Sequence, residues 1–191
     1  MGDSSLTDIT SAEAREAALA EIAADPKLGP ALDYWRTKCA GSTLPRPADI
    51  DPAGFPRAVL PYLTLLDVVE GGKTFRVRLV GTASSAAVGD NYTGRYLDET
   101  MSGEVLAAAL ARYRAAIEHR RPVLAYAEYK MTLSGDQVRN LLMTLPLSSD
   151  GTVVDRLLGV YSPKSDWLAR RALRNLDTAP YVSARRTQIV L

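Results

Sequence analysis

The chain has 191 residues, a length that suits one domain with additional segments at its ends. Hydrophobic residues make up 47% and charged residues 24%, and the net charge is +1. This composition is typical of a globular protein and gives no support to charge-driven binding to nucleic acid or a membrane surface. The single cysteine, Cys39, excludes an internal disulfide and a cysteine-based zinc site.

The first residues carry acids early and no apolar stretch of the kind that a secretory signal needs. No apolar run approaches the roughly 20 residues that cross a bilayer as a helix. We therefore expect a cytoplasmic protein without a membrane span.

Residues 1–43 are predicted to form an N-terminal helical extension. After a loose leader of nine residues, Thr10 and Glu13 match a capping box that opens an alanine-rich helix. The stretch DPKLGP breaks this helix, and a second helix is predicted in ALDYWRTKCAG. Five prolines between Pro45 and Pro61 then predict an extended connector without a regular strand.

Two strands are predicted next, on either side of Gly71 and Gly72, which indicate a hairpin turn. The helix that follows Ser102 carries a predicted buried stripe of Leu106, Ala109, Leu110, Tyr113 and Ile117. Three more strands, a helix in DWLARRALRNL and an irregular tail complete the chain. Antiparallel strands with helices inserted once indicate the α+β class.

No catalytic or metal-binding motif can be named. The stretch DVVEGGKT has Asp67 where a phosphate-binding loop needs its first glycine, and a strand follows it. The single histidine, His119, is predicted at a helix end, where a surface position explains it better than catalysis or haem ligation. We predict no enzymatic activity and no metal site.

Several polar and aromatic residues are predicted where a sheet and its helices would enclose a cavity. The residues on strands are Arg78, Tyr126, Glu128, Met143 and Tyr161, and those on the helical side are Tyr92 and Tyr113. One interpretation is a small pocket with a few convergent polar groups. In the other, several of these side chains face solvent and Arg78 pairs with an acid at the sheet edge. The sequence leaves both open.

Five stretches together carry a resemblance to a known family: LDYWRTK (32–38), LPRPADIDPAGFPRAVLPYLTLLDV (44–68), FRVRLVGT (75–82), GDNYTGRYLDE (89–99) and LLGVYSP (157–163). In this order they resemble a PAS domain, and more narrowly the stand-alone PAS proteins of proteobacteria. The resemblance spans about 130 residues. It implies an α+β PAS fold with a five-stranded antiparallel sheet, order 2-1-5-4-3, and helices over one face. The PAS domain would occupy residues 44–163, followed by a C-terminal helix and tail in residues 164–191.

The resemblance also implies that GDNYTGRYLDE walls one side of the cavity, so that Tyr92, Thr93 and Arg95 are structural residues first and ligand contacts second. The candidate ligand-binding residues are therefore Arg78, Tyr92, Thr93, Tyr113, Tyr126, Met143 and Tyr161. A light-sensing flavin domain would need a reactive cysteine beside the small helices, where this chain has SSAAVGDNYTG, and His119 lies too far along its helix for haem. Neither cofactor is supported.

The implied function is a non-enzymatic sensory protein that binds a small molecule or a partner protein and acts through its flanking helices. A ligand-free dimerisation or interaction adaptor is the alternative, and an enzyme is the weakest hypothesis. We expect a homodimer, an unidentified signalling partner and no nucleic acid.

Overall fold

The structure is a computed structural model that describes residues 6–9, 11–39, 44–88, 91–131, 137–164 and 181–191. The described strands are β1 (Leu6–Ile9), β2 (Leu63–Val69), β3 (Thr74–Val80), β4 (Val123–Met131), β5 (Gln137–Leu147), β6 (Arg156–Pro163) and β7 (Tyr181–Val190). The described helices are α1 (Ala12–Ala24), α2 (Leu28–Lys38), α3 (Thr82–Val88) and α4 (Gly103–His119). In this part of the chain, none of the helices combines the length and the apolar composition that a bilayer crossing needs.

All seven strands belong to one sheet in the order β1-β7-β4-β5-β6-β2-β3. The five strands from β3 to β4 are antiparallel neighbours, and their order confirms the predicted five-stranded arrangement. The hairpin between β2 and β3 turns at Gly71 and Gly72, whose φ angles of 67° and 93° lie in the region that glycine adopts without strain.

β7 and β1 extend the sheet beyond its predicted edge. β7 pairs antiparallel with β4, and β1 pairs parallel with β7. The predictions of an irregular tail and a loose leader are therefore wrong for residues 181–190 and 6–9. The physical reason is that the outer side of β4 offers unpaired N–H and C=O groups to any nearby extended segment. The helix predicted in DWLARRALRNL lies outside the described residues.

Helices cover both faces of the sheet. α4 lies on one face, where Arg112 Nε donates to Thr144 Oγ1 at 3.1 Å. α2 lies on the other, where Trp35 Nε1 donates to the Pro146 carbonyl at 3.0 Å. α1 joins it there, and Glu21 accepts two hydrogen bonds from Arg139 of β5 at 2.9 and 3.2 Å. The N-terminal extension thus forms a second helical layer on the sheet.

Two local predictions in the N-terminal half are refined. Ser11, rather than Thr10, caps α1, since its hydroxyl accepts from the Ala14 N–H at 3.1 Å. The proline-rich connector contains three short 3-10 turns, at Pro47–Asp49, Pro52–Gly54 and Leu60–Tyr62. It contains no regular strand, as predicted for that density of prolines.

Residues 91–99 run along the outer edge of β3. Gly94 N donates to the Val77 carbonyl at 2.7 Å, and Val77 N donates to the Arg95 carbonyl at 2.9 Å. The segment ends in a 3-10 turn, Leu97–Glu99, in which the Glu99 carboxylate accepts from the Tyr96 N–H at 2.7 Å. It therefore protects the edge of β3 and leads the chain into α4.

Candidate functional site

A cavity of about 150 Å³ lies between α4 and the sheet. The space exists because small residues face one another across it. They are Ala108 and Ala109 of α4, Ala125 and Ala127 of β4, and Gly159 of β6. The rest of the interior is close-packed around one apolar core. A cavity of this size is therefore a distinct feature of the structure.

A polar row crosses the sheet at one end of the cavity. Thr144 of β5 and Thr64 of β2 flank Gly159 of β6, because each is its direct partner in the ladder. Successive side chains of a strand alternate between faces, so these three positions share the face that α4 covers. Gly159 leaves an opening between the two threonines.

Arg112 of α4 belongs to this end of the cavity. Its side chain is buried, with 9% of the residue exposed, and its Nε donates to Thr144 Oγ1 at 3.1 Å. Its guanidinium also lies over the ring of Tyr113, 4.7 Å from the centroid. Among the described residues, no carboxylate pairs with it. A buried cation of this kind is costly unless an anion compensates it.

Tyr92, from the segment along β3, completes the same end together with Ser84 of α3. The Tyr92 phenol hydrogen-bonds to Thr64, and burial, followed by the neighbouring Tyr113, raises its pKa above the ordinary range. Tyr92 therefore stays protonated and neutral at physiological pH. Ser84 is 5% exposed, and its hydroxyl oxygen has no hydrogen-bond partner within the described part of the chain.

A second polar group lies further along the cavity, under the start of α4. Arg186 of β7 is buried and is held by Glu104, with 3.3 Å between Nη1 and Oε2. Glu104 and Arg112 are eight residues apart on α4, a rise of about 12 Å. Near Arg186 in the ladder, Asn140 accepts a long hydrogen bond of 3.4 Å from the Tyr161 hydroxyl. The two arginines therefore mark two ends of the cavity.

The structure brings five of the seven candidate residues to the cavity wall: Tyr92, Tyr113, Tyr126, Met143 and Tyr161. Tyr126 and Met143 occupy ladder positions that alternate with Ala125 and Leu142, so their side chains project toward the opposite face. Tyr126 stacks with Arg139 at 4.4 Å, and burial together with nearby Glu21 raises its pKa to about 12.

Arg78 and Thr93 do not line the cavity. Arg78 is half exposed and its Nε donates to Asp67 Oδ1 at 2.8 Å, which is the edge pairing that the sequence left open. Thr93 is exposed in the segment outside β3. The structure therefore does not bring these two predicted residues to the cavity, because both are exposed to solvent.

Sequence reasoning missed five polar residues of the lining: Thr64, Ser84, Arg112, Asn140 and Arg186. A helical stripe does contain Arg112, since it lies three residues after Ala109 and four before Ala116, both of which are buried. That spacing is the one signal that could have indicated it. Arg186 was missed because β7 itself was not predicted.

The lining supplies hydrogen bonds and positive charge rather than an acid–base pair. It includes no histidine, cysteine, aspartate or glutamate among the described residues. In the same part of the chain, no three such side chains are grouped to hold a metal ion. His119 is exposed at the end of α4, where the sequence predicted it.

The sequence was compared with models of known protein families and with curated proteins. A family model described as a PAS domain matches residues 25–162, which is well over half of the chain. Comparison with curated proteins finds no match.

Three solved structures illustrate the likeness in fold. The LOV protein of Rhodobacter sphaeroides is 20% identical with a TM-score of 0.40, and the match covers 58% of this chain and 66% of that one. The VqmA dimer of Vibrio cholerae is 14% identical with a TM-score of 0.42, covering 56% of this chain and 47% of VqmA. The light-state LOV domain of Aureochrome1 is 18% identical with a TM-score of 0.39, covering 63% and 94%.

The chain therefore spans just under two thirds of the Rhodobacter protein and about half of VqmA. The family model covers α2, the connector, all five predicted strands and the long helix. The five-stranded antiparallel order agrees with what the resemblance implied. The chain belongs to the PAS domain family.

Proposed function

We propose that the chain is a non-enzymatic signalling module that binds a small molecule in the cavity between α4 and the sheet. PAS domains are sensory or signalling modules, and the observation that carries the proposal is the cavity itself. Its volume of about 150 Å³ is lined by apolar residues and a few buried polar groups, as ligand sites are. Among the described lining residues there is no histidine, cysteine, aspartate or glutamate that would act as a general base.

The flanking segments are the proposed output. Arg186 lines the cavity and belongs to β7, and β7 pairs with β1. The far end of β7 also touches α1, where Arg15 Nε donates to the Val190 carbonyl at 3.1 Å. A ligand that shifts Arg186 would therefore act on both N-terminal elements. These elements are the proposed contact for a partner protein or a second copy.

Native mass spectrometry of freshly purified protein, compared with the denatured mass, tests the proposal. We expect an additional mass that is lost on denaturation. The cavity-filling variant Ala109→Met should lose this mass, because Ala109 is buried in the lining. Ala107→Met is the matched control, since Ala107 is exposed on the same helix and should retain the ligand.

A clean apo mass in repeated preparations would favour the alternative, a ligand-free dimerisation or interaction adaptor. Retention of the same ligand by Ala109→Met would place binding elsewhere and would also contradict the proposed site. The native spectrum reports the number of chains as well, so it tests the expected homodimer in the same measurement.

A further inference from the structure

We propose that the ligand of this cavity is a small organic carboxylate, whose anionic group pairs with Arg112 above Gly159. This inference rests on the proposed sensor function and adds the chemical class of the ligand. Charge, geometry and size each contribute to it.

The charge balance of the cavity is positive. Its described lining residues include two arginines and no aspartate or glutamate. Glu104, which is not among the lining residues, pairs with Arg186, and its side chain is 55% exposed. Arg112 is 9% exposed, and its hydrogen bond goes to a neutral hydroxyl. An incoming anion would offset the cost of burying this guanidinium, whereas a neutral ligand would not.

The geometry beside Arg112 suits an anionic head group. Gly159 leaves an opening between the side chains of Thr144 and Thr64. A Cβ added at Gly159 would come no closer than 3.6 Å to Thr64, an ordinary contact, so packing does not require the glycine. The opening is therefore free for a ligand.

Ser84 is an independent indication of a polar ligand. Its side chain is 95% buried against the cavity, and its hydroxyl oxygen has no partner within the described residues. Gly81 N donates to the Leu63 carbonyl at 2.7 Å, which places the start of α3 beside Thr64. Leaving a buried hydroxyl without a partner is unfavourable, and a carboxylate oxygen would accept a hydrogen bond from it. Arg112, Ser84 and Thr64, which all line the cavity, together form a donor set.

The rest of the cavity limits the body of the ligand. Leu66, Val105 and Leu142 are among the apolar residues of the wall. The volume of about 150 Å³ matches a cavity that holds one benzene ring. A carboxylate on a compact apolar body, such as benzoate, fits both the charge and the space.

The test is isothermal titration of the full chain with monocarboxylates of about five to ten non-hydrogen atoms, benzoate included. Each acid is compared with its neutral primary amide, and inorganic phosphate is titrated as a further ligand.

We expect at least one acid to bind and its amide to bind at least about tenfold more weakly. Arg112→Met should reduce acid binding by a similar factor, and Arg112→Lys should restore part of it. Arg114→Met is the control, because Arg114 bonds the Gly72 and Lys73 carbonyls and does not line the cavity.

Gly159→Ala gives a second, independent variant, because it fills the opening with an ordinary contact and should fold normally. It should weaken acid binding while the melting temperature stays unchanged. Equal binding of acid and amide, retention of acid binding by Arg112→Met, or phosphate binding as tight as any acid would each overturn the inference. A neutral ligand in the native mass spectrum would refute the carboxylate and leave the sensor function standing. If the native mass spectrum shows no ligand and none of the titrated compounds binds, both the carboxylate ligand and the sensor function are refuted.

Discussion

The Asp25 carboxylate, at the junction of α1 and α2, lies 2.6 Å from the Lys164 ammonium just beyond β6. Its Oδ2 also accepts from the Ser162 hydroxyl at 2.6 Å. Its Oδ1 accepts from the backbone N–H groups of Lys27 and Leu28, both at 2.8 Å. One side chain therefore caps α2 and ties the N-terminal helical layer to the sheet.

Replacing Asp25 by alanine should lower the free energy of unfolding by about 2–4 kcal/mol. The substitution removes the cap of α2 and leaves the buried Ser162 hydroxyl without its acceptor. Urea denaturation at pH 7 measures the change. Lys164→Met is the comparison, and it should cost less because the Lys164 side chain is one-third exposed and can be hydrated. Equal costs for the two variants would mean that the ion pair, rather than the cap, holds the junction.

Stability should also depend on pH through Asp25. Burial alone would raise the pKa of this carboxyl, but the hydrogen bonds from Lys164, Ser162 and two backbone N–H groups outweigh burial and lower it. The contribution is therefore complete above about pH 4, the ordinary pKa of an unfolded aspartate, and is lost as the pH falls through the lower folded value. Urea denaturation between pH 7 and pH 3 should show a steeper loss for the wild type than for Asp25→Asn. If the wild type and Asp25→Asn lose stability in parallel as the pH falls, the pH dependence does not come from Asp25.

Replacing glycine by alanine should lower the stability of the protein at Gly81 but not at Gly159. A Cβ at Gly81 would lie 2.4 Å from the Pro61 carbonyl oxygen, a backbone atom that cannot move aside. Gly81→Ala should therefore cost at least about 2 kcal/mol, because the start of α3 must shift away from the connector. Gly159→Ala, whose Cβ meets only ordinary contacts, is the matched control and should melt near the wild type. Thermal unfolding distinguishes the two, and similar melting temperatures would show that the α3 approach is not tight.

The sequence is sufficient to predict the five central strands and α4, because their signals are local. Arg76 and Arg78 alternate with buried Phe75 and Val77, and the hairpin turns at paired glycines. β7 could not be predicted in this way. Its stretch YVSARRTQIV has two adjacent arginines that interrupt the alternation, and its pairing with β4 joins residues far apart in the chain.

The cavity could be predicted only in part. Aromatic residues at helix and strand positions indicate a wall, and Tyr92 and Tyr161 do form it. Arg112 was not recognised, since a charged residue within a helix is usually assigned to the exposed face. Its burial depends on small residues of other elements that leave room for it, which is a property of the tertiary structure. Arg78 is the converse case, because a nearby Asp67 holds it at the surface.

A chain that ends at residue 180 should expose the outer edge of β4. β7 pairs with β4 from Val123 to Met131, so its removal leaves a long row of unpaired N–H and C=O groups. We expect self-association that increases with protein concentration, measured by size-exclusion chromatography with light scattering. Arg186→Met in the full chain is the control, because it removes the side chain and keeps the strand. A truncated chain with the wild-type oligomeric state would show that β7 does not protect this edge.

The docking of α2 can be tested at a single hydrogen bond. Trp35 is buried, and its Nε1 donates to the buried Pro146 carbonyl of β5 at 3.0 Å. Trp35→Phe keeps most of the ring packing but leaves this carbonyl without its donor, so it should cost about 1–3 kcal/mol in urea denaturation. Thr37→Val is the control on the same helix, because the Thr37 hydroxyl bonds the Tyr34 carbonyl at an exposed position and should change stability by less than about 0.5 kcal/mol. If Trp35→Phe is as stable as the wild type, this hydrogen bond does not contribute to the docking of α2, which then depends on its other contacts with the sheet.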